Sequence, residues 1–214
     1  MPRAESPDES AYPPVDGRAS LPKLRDAAAH CKACDLWRLG TQTVFGEGAA
    51  HAKVMLVGEQ PGDYEDRAGH PFVGPAGKLL DEALGEAGIE RNEVWVTNAV
   101  KHFKWEPRGK RRIHQKPNAR EIAACFHWLR GEVALLKPQV IVCLGATAAQ
   151  AVLGRSVRVM AERGNLLRSE LAPHVLITIH PSAILRAPDE PSRAAQYRDF
   201  VADLKKVERV LVTA

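Results

Sequence analysis

Four apolar runs rich in β-branched residues punctuate the chain: Val54-Met55-Leu56-Val57, Val94-Trp95-Val96-Thr97, Val140-Ile141-Val142-Cys143-Leu144 and Val175-Leu176-Ile177-Thr178-Ile179. They are continuously apolar rather than alternating, the pattern of strands covered on both faces, and so predict a buried parallel sheet. Stretches with helical spacing lie between them near 76 to 87, 120 to 136 and 146 to 153, and another runs from about 192 to 211. This alternation predicts an α/β protein, a three-layer α/β/α sandwich around a central four-stranded parallel sheet. A shorter helical pattern starts at Leu21, with Pro22 tolerable in its first turn, and runs into His30-Cys31-Lys32-Ala33-Cys34. Leu36, Trp37 and Leu39 follow as the apolar anchors of a capping element.

Residues 1–19 carry four prolines among Ser, Glu and Asp and almost no aliphatic side chains, so they predict a disordered tail ahead of a single domain over residues 20–214. Across the 214 residues, 45% are hydrophobic and 26% charged, which fits one globular core. No apolar run approaches the roughly 20 residues of a membrane helix, and the start of the chain lacks a secretory signal pattern. The expectation is a soluble protein of the bacterial cytoplasm, at the nucleoid when bound to DNA, acting as a monomer without a membrane partner. A net charge of +4 is too small to indicate a polyanion partner by itself. Four cysteines are too few for a disulfide framework, and the C-x-x-C spacing of Cys31 and Cys34 raises metal or redox use.

Open parallel sheets bind ligands beyond the carboxyl ends of their strands. The first strand there runs into Gly58-Glu59-Gln60-Pro61-Gly62-Asp63, the second into Asn98, the third into Gly145-Ala146-Thr147 and the fourth into His180-Pro181-Ser182. A carboxylate, an amide and an imidazole thus converge on one rim, though each alone also reads as turn or cap chemistry. Gly74-Pro75-Ala76-Gly77-Lys78 lacks the first glycine and final Ser/Thr of a phosphate-binding P-loop, so nucleotide hydrolysis is not supported.

Taken in order, Gly58-Glu59-Gln60-Pro61-Gly62, Gly69-His70-Pro71-Phe72-Val73-Gly74-Pro75-Ala76-Gly77, Thr97-Asn98-Ala99-Val100-Lys101 and His180-Pro181-Ser182 resemble the uracil-DNA glycosylase superfamily, and within it the iron-sulfur branch, family 4. The resemblance spans about residues 21 to 206. It implies that a uridine is taken out of the DNA stack into a pocket. Phe72 would stack on the base, Asn98 would read the uracil edge with an amide that both donates and accepts, and Gln60 would line the same site. Cleavage of the glycosidic bond builds cationic character on the sugar and negative charge on uracil. Glu59 would stabilise the cation or orient a nucleophile, and His180 would donate to uracil O2.

Cys31-x-x-Cys34 alone leaves a zinc half-site, a redox pair or two buried thiols open. The resemblance implies a [4Fe-4S] cluster of structural role, with Cys125 as the helical ligand and His102 where the family usually places a third cysteine; imidazole is a competent iron ligand. Cys143, inside an apolar strand, reads as a core thiol.

From Lys101 to Lys116 the chain reads KHFKWEPRGKRRIHQK, seven Lys or Arg against one Glu, a surplus larger than that of the whole protein. Attached to the uracil-reading strand, this stretch predicts DNA contact by Lys101, Lys104, Arg108, Lys110, Arg111, Arg112 and Lys116, with Ser182 beside them. Lys110-Arg111-Arg112-Ile113-His114 is similar to the KRRIH signature of the UdgX branch, which His102 in the cluster set also fits. That likeness implies that His114 attacks the sugar C1′ once uracil departs, leaving protein joined to DNA after one turnover. Glu59 would accept a hydrogen bond from His114. The expected partner is uracil-containing DNA, single-stranded in preference with double-stranded DNA open. The alternatives are a multiple-turnover family 4 glycosylase using water, a non-catalytic iron-sulfur DNA sensor and a zinc-binding module.

Overall fold

The computed structural model describes residues 19–212, so all but the last residue of the tail expected at the N-terminus lies outside the described residues. In chain order the first half holds α1 (Leu21–Ala29), β1 (Glu47–Gly48), β2 (Val54–Gly58), α2 (Asp63–Ala68), α3 (Pro75–Glu86), β3 (Val94–Asn98), β4 (Trp105–Arg108) and β5 (Arg111–His114). The second half holds α4 (Ala119–Leu136), β6 (Val140–Leu144), α5 (Ala146–Leu153), α6 (Val159–Glu162), β7 (Leu166–Ser169), β8 (Ala172–Thr178), α7 (Pro181–Leu185) and α8 (Glu190–Val212).

The four apolar runs form the parallel centre of the sheet, and every residue of β2, β3 and β6 is buried. Their side chains alternate between two cores, as a strand covered on both faces requires. Met55, Val57, Trp95, Ile141, Cys143, Val175 and Ile177 pack with Leu24 of α1 and Trp128, Leu129 and Val133 of α4. Val54, Leu56, Val96, Val142, Leu144 and Leu176 pack with Leu80 and Leu84 of α3 and Phe200, Leu204 and Val207 of α8. Each fully buried Val, Leu or Ile there is worth about 1.5–3 kcal/mol relative to exposure. The long helix α4 starts on a capping box, in which Asn118 Oδ1 accepts the Glu121 N–H at 3.0 Å and Glu121 Oε2 accepts the Asn118 N–H at 2.7 Å.

The sheet has six strands, not four, in the order β1-β3-β2-β6-β8-β7, with antiparallel strands at both edges. Neither edge strand announces itself in the sequence. The first is two residues long, and β7 alternates exposed and half-buried positions with a register irregularity between Leu167 and Ser169. The last central strand also begins earlier than its apolar run, at Ala172. Cys143 is fully buried, as its strand position predicts.

Strand β2 has β3 on one side and β6 on the other, so the chain reverses direction of winding there. The carboxyl ends of β2 and β6 therefore flank a topological switch point, where open α/β sheets leave a crevice. The basic segment forms a second, two-stranded sheet, a hairpin of β4 and β5 that pairs Trp105 with His114 and turns at Gly109-Lys110. Gly109 has φ 61°, the left-handed conformation that a two-residue hairpin turn asks of its first central residue.

Candidate active site

A cavity of about 550 Å³ opens at the switch point, lined by Glu59, Gln60, Phe72, Asn98, His114, Lys116, Thr147, His180, Ser182 and Arg186 among others. It collects residues from all four central strand ends and from the hairpin. Asn98, the last residue of β3, is 2% exposed, and its Oδ1 is buried with no partner. A side chain at Gly58 would collide with that oxygen and with the Phe72 ring, so only glycine lets the strand end approach both. Phe72 itself sits at φ 57°, a left-handed conformation costing a non-glycine residue about 1 kcal/mol or more. Its ring lies nearly parallel to that of His180, with centroids 6.0 Å apart and planes 28° apart. Glu65 joins the loops that shape this floor, accepting the Gly62 N–H at 3.0 Å and the Gly74 N–H at 2.7 Å.

Three polar groups meet on the other wall. Glu59, following β2, accepts a hydrogen bond from the Thr147 hydroxyl, and its second oxygen lies 3.3 Å from His114 Nε2 at the end of β5. Burial pushes the Glu59 carboxyl up, but the hydrogen bonds from His114 and Thr147 and the charges of His114 and His180 outweigh it and hold the group below its ordinary value. His180, at the N-cap of α7, accepts the Ser182 N–H on Nδ1 at 3.1 Å, so the neutral ring carries its proton on Nε2. Burial pushes this imidazole down to about 4, which keeps it neutral at physiological pH and makes it a hydrogen-bond donor rather than a cation.

The hairpin revises several of the expected DNA contacts. Lys101 is fully buried and ion-paired to Glu132 at 2.6 Å, so it does not face DNA. Arg112 turns inward: it pairs with Asp63, donates to Asp66 Oδ2 at 2.6 Å and lies over the rings of Phe103 and Trp105. It is a clamp on the hairpin rather than a phosphate ligand. Lys104 pairs with Glu121 at 3.0 Å. Gln60 lines the cavity, yet its side-chain amide bonds the Lys104 carbonyl at 3.2 Å, the Gln115 carbonyl at 3.0 Å and the Lys104 N–H at 3.1 Å, holding the base of the hairpin instead of a free base edge. Arg108, Lys110, Arg111 and Lys116 are exposed, as a phosphate-contacting surface requires. Thr147 and Arg186 escaped the sequence reading as site residues. Thr147 was signalled only by its place after a strand, and Arg186 by nothing in the local pattern.

Among the cluster candidates, Cys31 and Cys34 flank the turn after α1, Cys125 lies on α4 and His102 follows β3; all four cysteines are free thiols. Cys31 Sγ accepts the Trp128 indole N–H at 3.2 Å, and Cys125 Sγ accepts the Lys101 N–H at 3.2 Å. His102 Nδ1 is buried and partnerless, while its Nε2 meets the Thr43 hydroxyl at 2.9 Å. Burial pushes the Cys34 and Cys125 thiols up, and Cys31 adds to both by proximity. Among the described residues no three His, Cys, Asp or Glu side chains converge as for a single ion. A four-iron cluster takes one protein ligand at each iron and so asks for four donors in one neighbourhood. Cys31, Cys34 and Cys125 lie near enough for Cys31 to raise the other two thiols, two of these sulfurs accept N–H bonds, and His102 adds a buried imidazole nitrogen without a partner, so the donor types suit such a cluster.

A doubly wound sheet with this pocket at its switch point defines the class, and comparison with known proteins identifies it. The profile of the uracil DNA glycosylase superfamily matches residues 45–205, three quarters of the chain, and the protein belongs to that superfamily. Its relatives include several proteins named type-4 uracil-DNA glycosylase. That of Pyrobaculum aerophilum is 38% identical over 175 residues, covering 78% of this chain and 86% of the relative. That of Thermotoga maritima is 41% identical over 157 residues, covering 73% and 78%. The Sulfurisphaera tokodaii protein is 34% identical over 202 residues, covering 91% and 86%.

Proposed function

We propose that this protein excises uracil from DNA and then bonds its own His114 to the freed sugar carbon, a single-turnover capture. The observation that carries the reading is the placement of the His114 imidazole on the cavity wall beside the ionised Glu59, in the same cavity as the neutral donor His180. Type-4 relatives support the excision half; the pairing of His114 with Glu59 supports the capture half.

The extruded uracil lies against Phe72 with its edge toward Asn98, whose unpartnered Oδ1 awaits an N–H donor. As the C1′–N1 bond breaks, its electron pair leaves with uracil, and His180 Nε2–H stabilises the developing anion. The Glu59 carboxylate faces the cationic sugar. One ring nitrogen of His114 then supplies its lone pair to C1′, while the proton on the other passes to Glu59 or solvent. Held beside C1′, the imidazole outcompetes water through proximity. The exposed Arg108, Lys110, Arg111 and Lys116 hold the flanking phosphates, and Ser182 lies at the same rim. Cys31, Cys34, Cys125 and His102 would hold a [4Fe-4S] cluster, whose chemistry here is cross-linking the capping segment, the strand end and α4.

The test is incubation with labelled uracil-containing DNA, following free uracil and denaturation-resistant protein–DNA adduct together. Both products support the proposal. Uracil release with no adduct leaves a multiple-turnover glycosylase using water, and neither product leaves a DNA-binding sensor.

A further inference from the structure

Lys101 is fully buried and no substrate reaches it, yet it is ion-paired inside the protein. Its ammonium donates to Glu132 Oε2 at 2.6 Å, to Thr97 Oγ1 at 2.6 Å and to the main-chain carbonyl of Asn98 at 2.8 Å, which uses all three of its protons. Glu132, also fully buried, is gripped in turn by the Gly46 N–H at 3.0 Å and the Trp95 indole N–H at 3.3 Å. A buried ion pair is a poor source of stability, because desolvating both charges offsets most of their attraction. What this pair achieves is geometric.

We propose that Lys101 and Glu132 are positioning residues that fix Asn98 against the base, and this rests on the assignment of Asn98 as the reader of the uracil edge. The Asn98 carbonyl is tied to Lys101, and the next two amides, Ala99 and Val100, donate to the carbonyls of Gly58 at 2.9 Å and Glu59 at 3.0 Å. The clamp therefore sets the strand end that carries the base reader. The Lys101 N–H also bonds Cys125 Sγ, and Cys125 and Glu132 lie two turns apart on α4, so the clamp ties the cavity to the helix that carries the cluster-side thiol.

The test compares the wild type with the double variant Lys101→Met, Glu132→Gln, in the presence and absence of Asn98→Ala. The amide introduced by Glu132→Gln retains an oxygen for the Gly46 and Trp95 donors and an N–H group for Thr97, so the variant loses both charges and takes the donor only from the Asn98 carbonyl, the tie under test. Thr97→Val serves as a milder variant of the same network. Single-turnover uracil release should fall about 10- to 100-fold in the double variant, as for a misplaced reacting group, and should fall no further when the same change is made in Asn98→Ala. Amide exchange at Ala99 and Val100 should speed up at least several-fold. An unchanged release rate, or an equal loss with Asn98 already removed, overturns the proposal. If the wild type releases no uracil, the functional reading fails separately, and unchanged exchange at Ala99 and Val100 alone overturns the clamp.

Discussion

His114 and Glu59 meet on one wall of the cavity, Nε2 to Oε1 at 3.3 Å, although one ends a surface hairpin and the other follows a core strand. The carboxylate is ionised and fixed from behind by Thr147, while the imidazole side chain is half exposed toward the space where a sugar would lie. Glu59→Gln keeps the shape and removes the charge. Adduct formation should slow by about 100-fold or more, the scale of a lost proton acceptor. Thr147→Val removes one hydrogen bond to a charged group and should slow it about ten-fold. Rapid-quench time courses of adduct decide both, and an unchanged rate in Glu59→Gln removes that residue from the reaction.

The hairpin is held down by Arg112, whose guanidinium meets Asp63 and the fully buried Asp66; Asp66 also takes the Thr41 N–H at 2.8 Å. Breaking a buried charge pair from one side costs about 3–5 kcal/mol, so Asp66→Asn should lower stability by that order in urea melts. Because His114 ends the same hairpin, the ratio of adduct to free uracil should also drop. Loss of stability with an unchanged ratio would show that the clamp does not position His114.

The chain displayed the central strands and long helices plainly, since residues buried on both faces leave continuous apolar runs. It displayed the pocket as well, because Glu59, Asn98 and His180 each come at or just past the end of an apolar run. The hairpin stayed hidden: Arg108, Arg111 and Arg112 give no strand-like alternation, and its pairing depends on Gln60, Asp63 and Asp66 from elsewhere. The same cause misassigned Lys101 and Arg112. A cation in a basic run reads as solvent-facing until the fold brings a carboxylate to it, as Glu132 and Asp66 do here.

Acid stability should carry the mark of His180. Its folded value of about 4 lies below the roughly 6.5 of a free imidazole, so on acidification the unfolded chain takes up the proton first. Stability from this group is complete above pH 6.5 and declines as pH falls toward 4. His180→Gln, neutral throughout, should flatten that part of the stability profile in denaturant titrations at a series of pH values. A slope identical to the wild type would contradict a buried neutral imidazole.

Salt dependence should separate the exposed cations from the clamped ones. Arg108→Ala, Lys110→Ala and Arg111→Ala should each weaken DNA binding across sequences and reduce the slope of log affinity against log salt by about 1 or somewhat less. Lys101→Met should leave the slope unchanged, as expected of a buried ammonium. Fluorescence anisotropy with an abasic-analogue strand reads both, and a slope change in Lys101→Met would place that side chain at the phosphates after all.

The central claim is tested most directly on a denaturing gel of labelled uracil-containing single-stranded DNA, wild type beside His114→Ala. A retarded band that survives heat and detergent in the wild type, and disappears in His114→Ala while uracil release persists, is the predicted result. Free uracil and alkali-labile sites without that band in the wild type would contradict capture by His114.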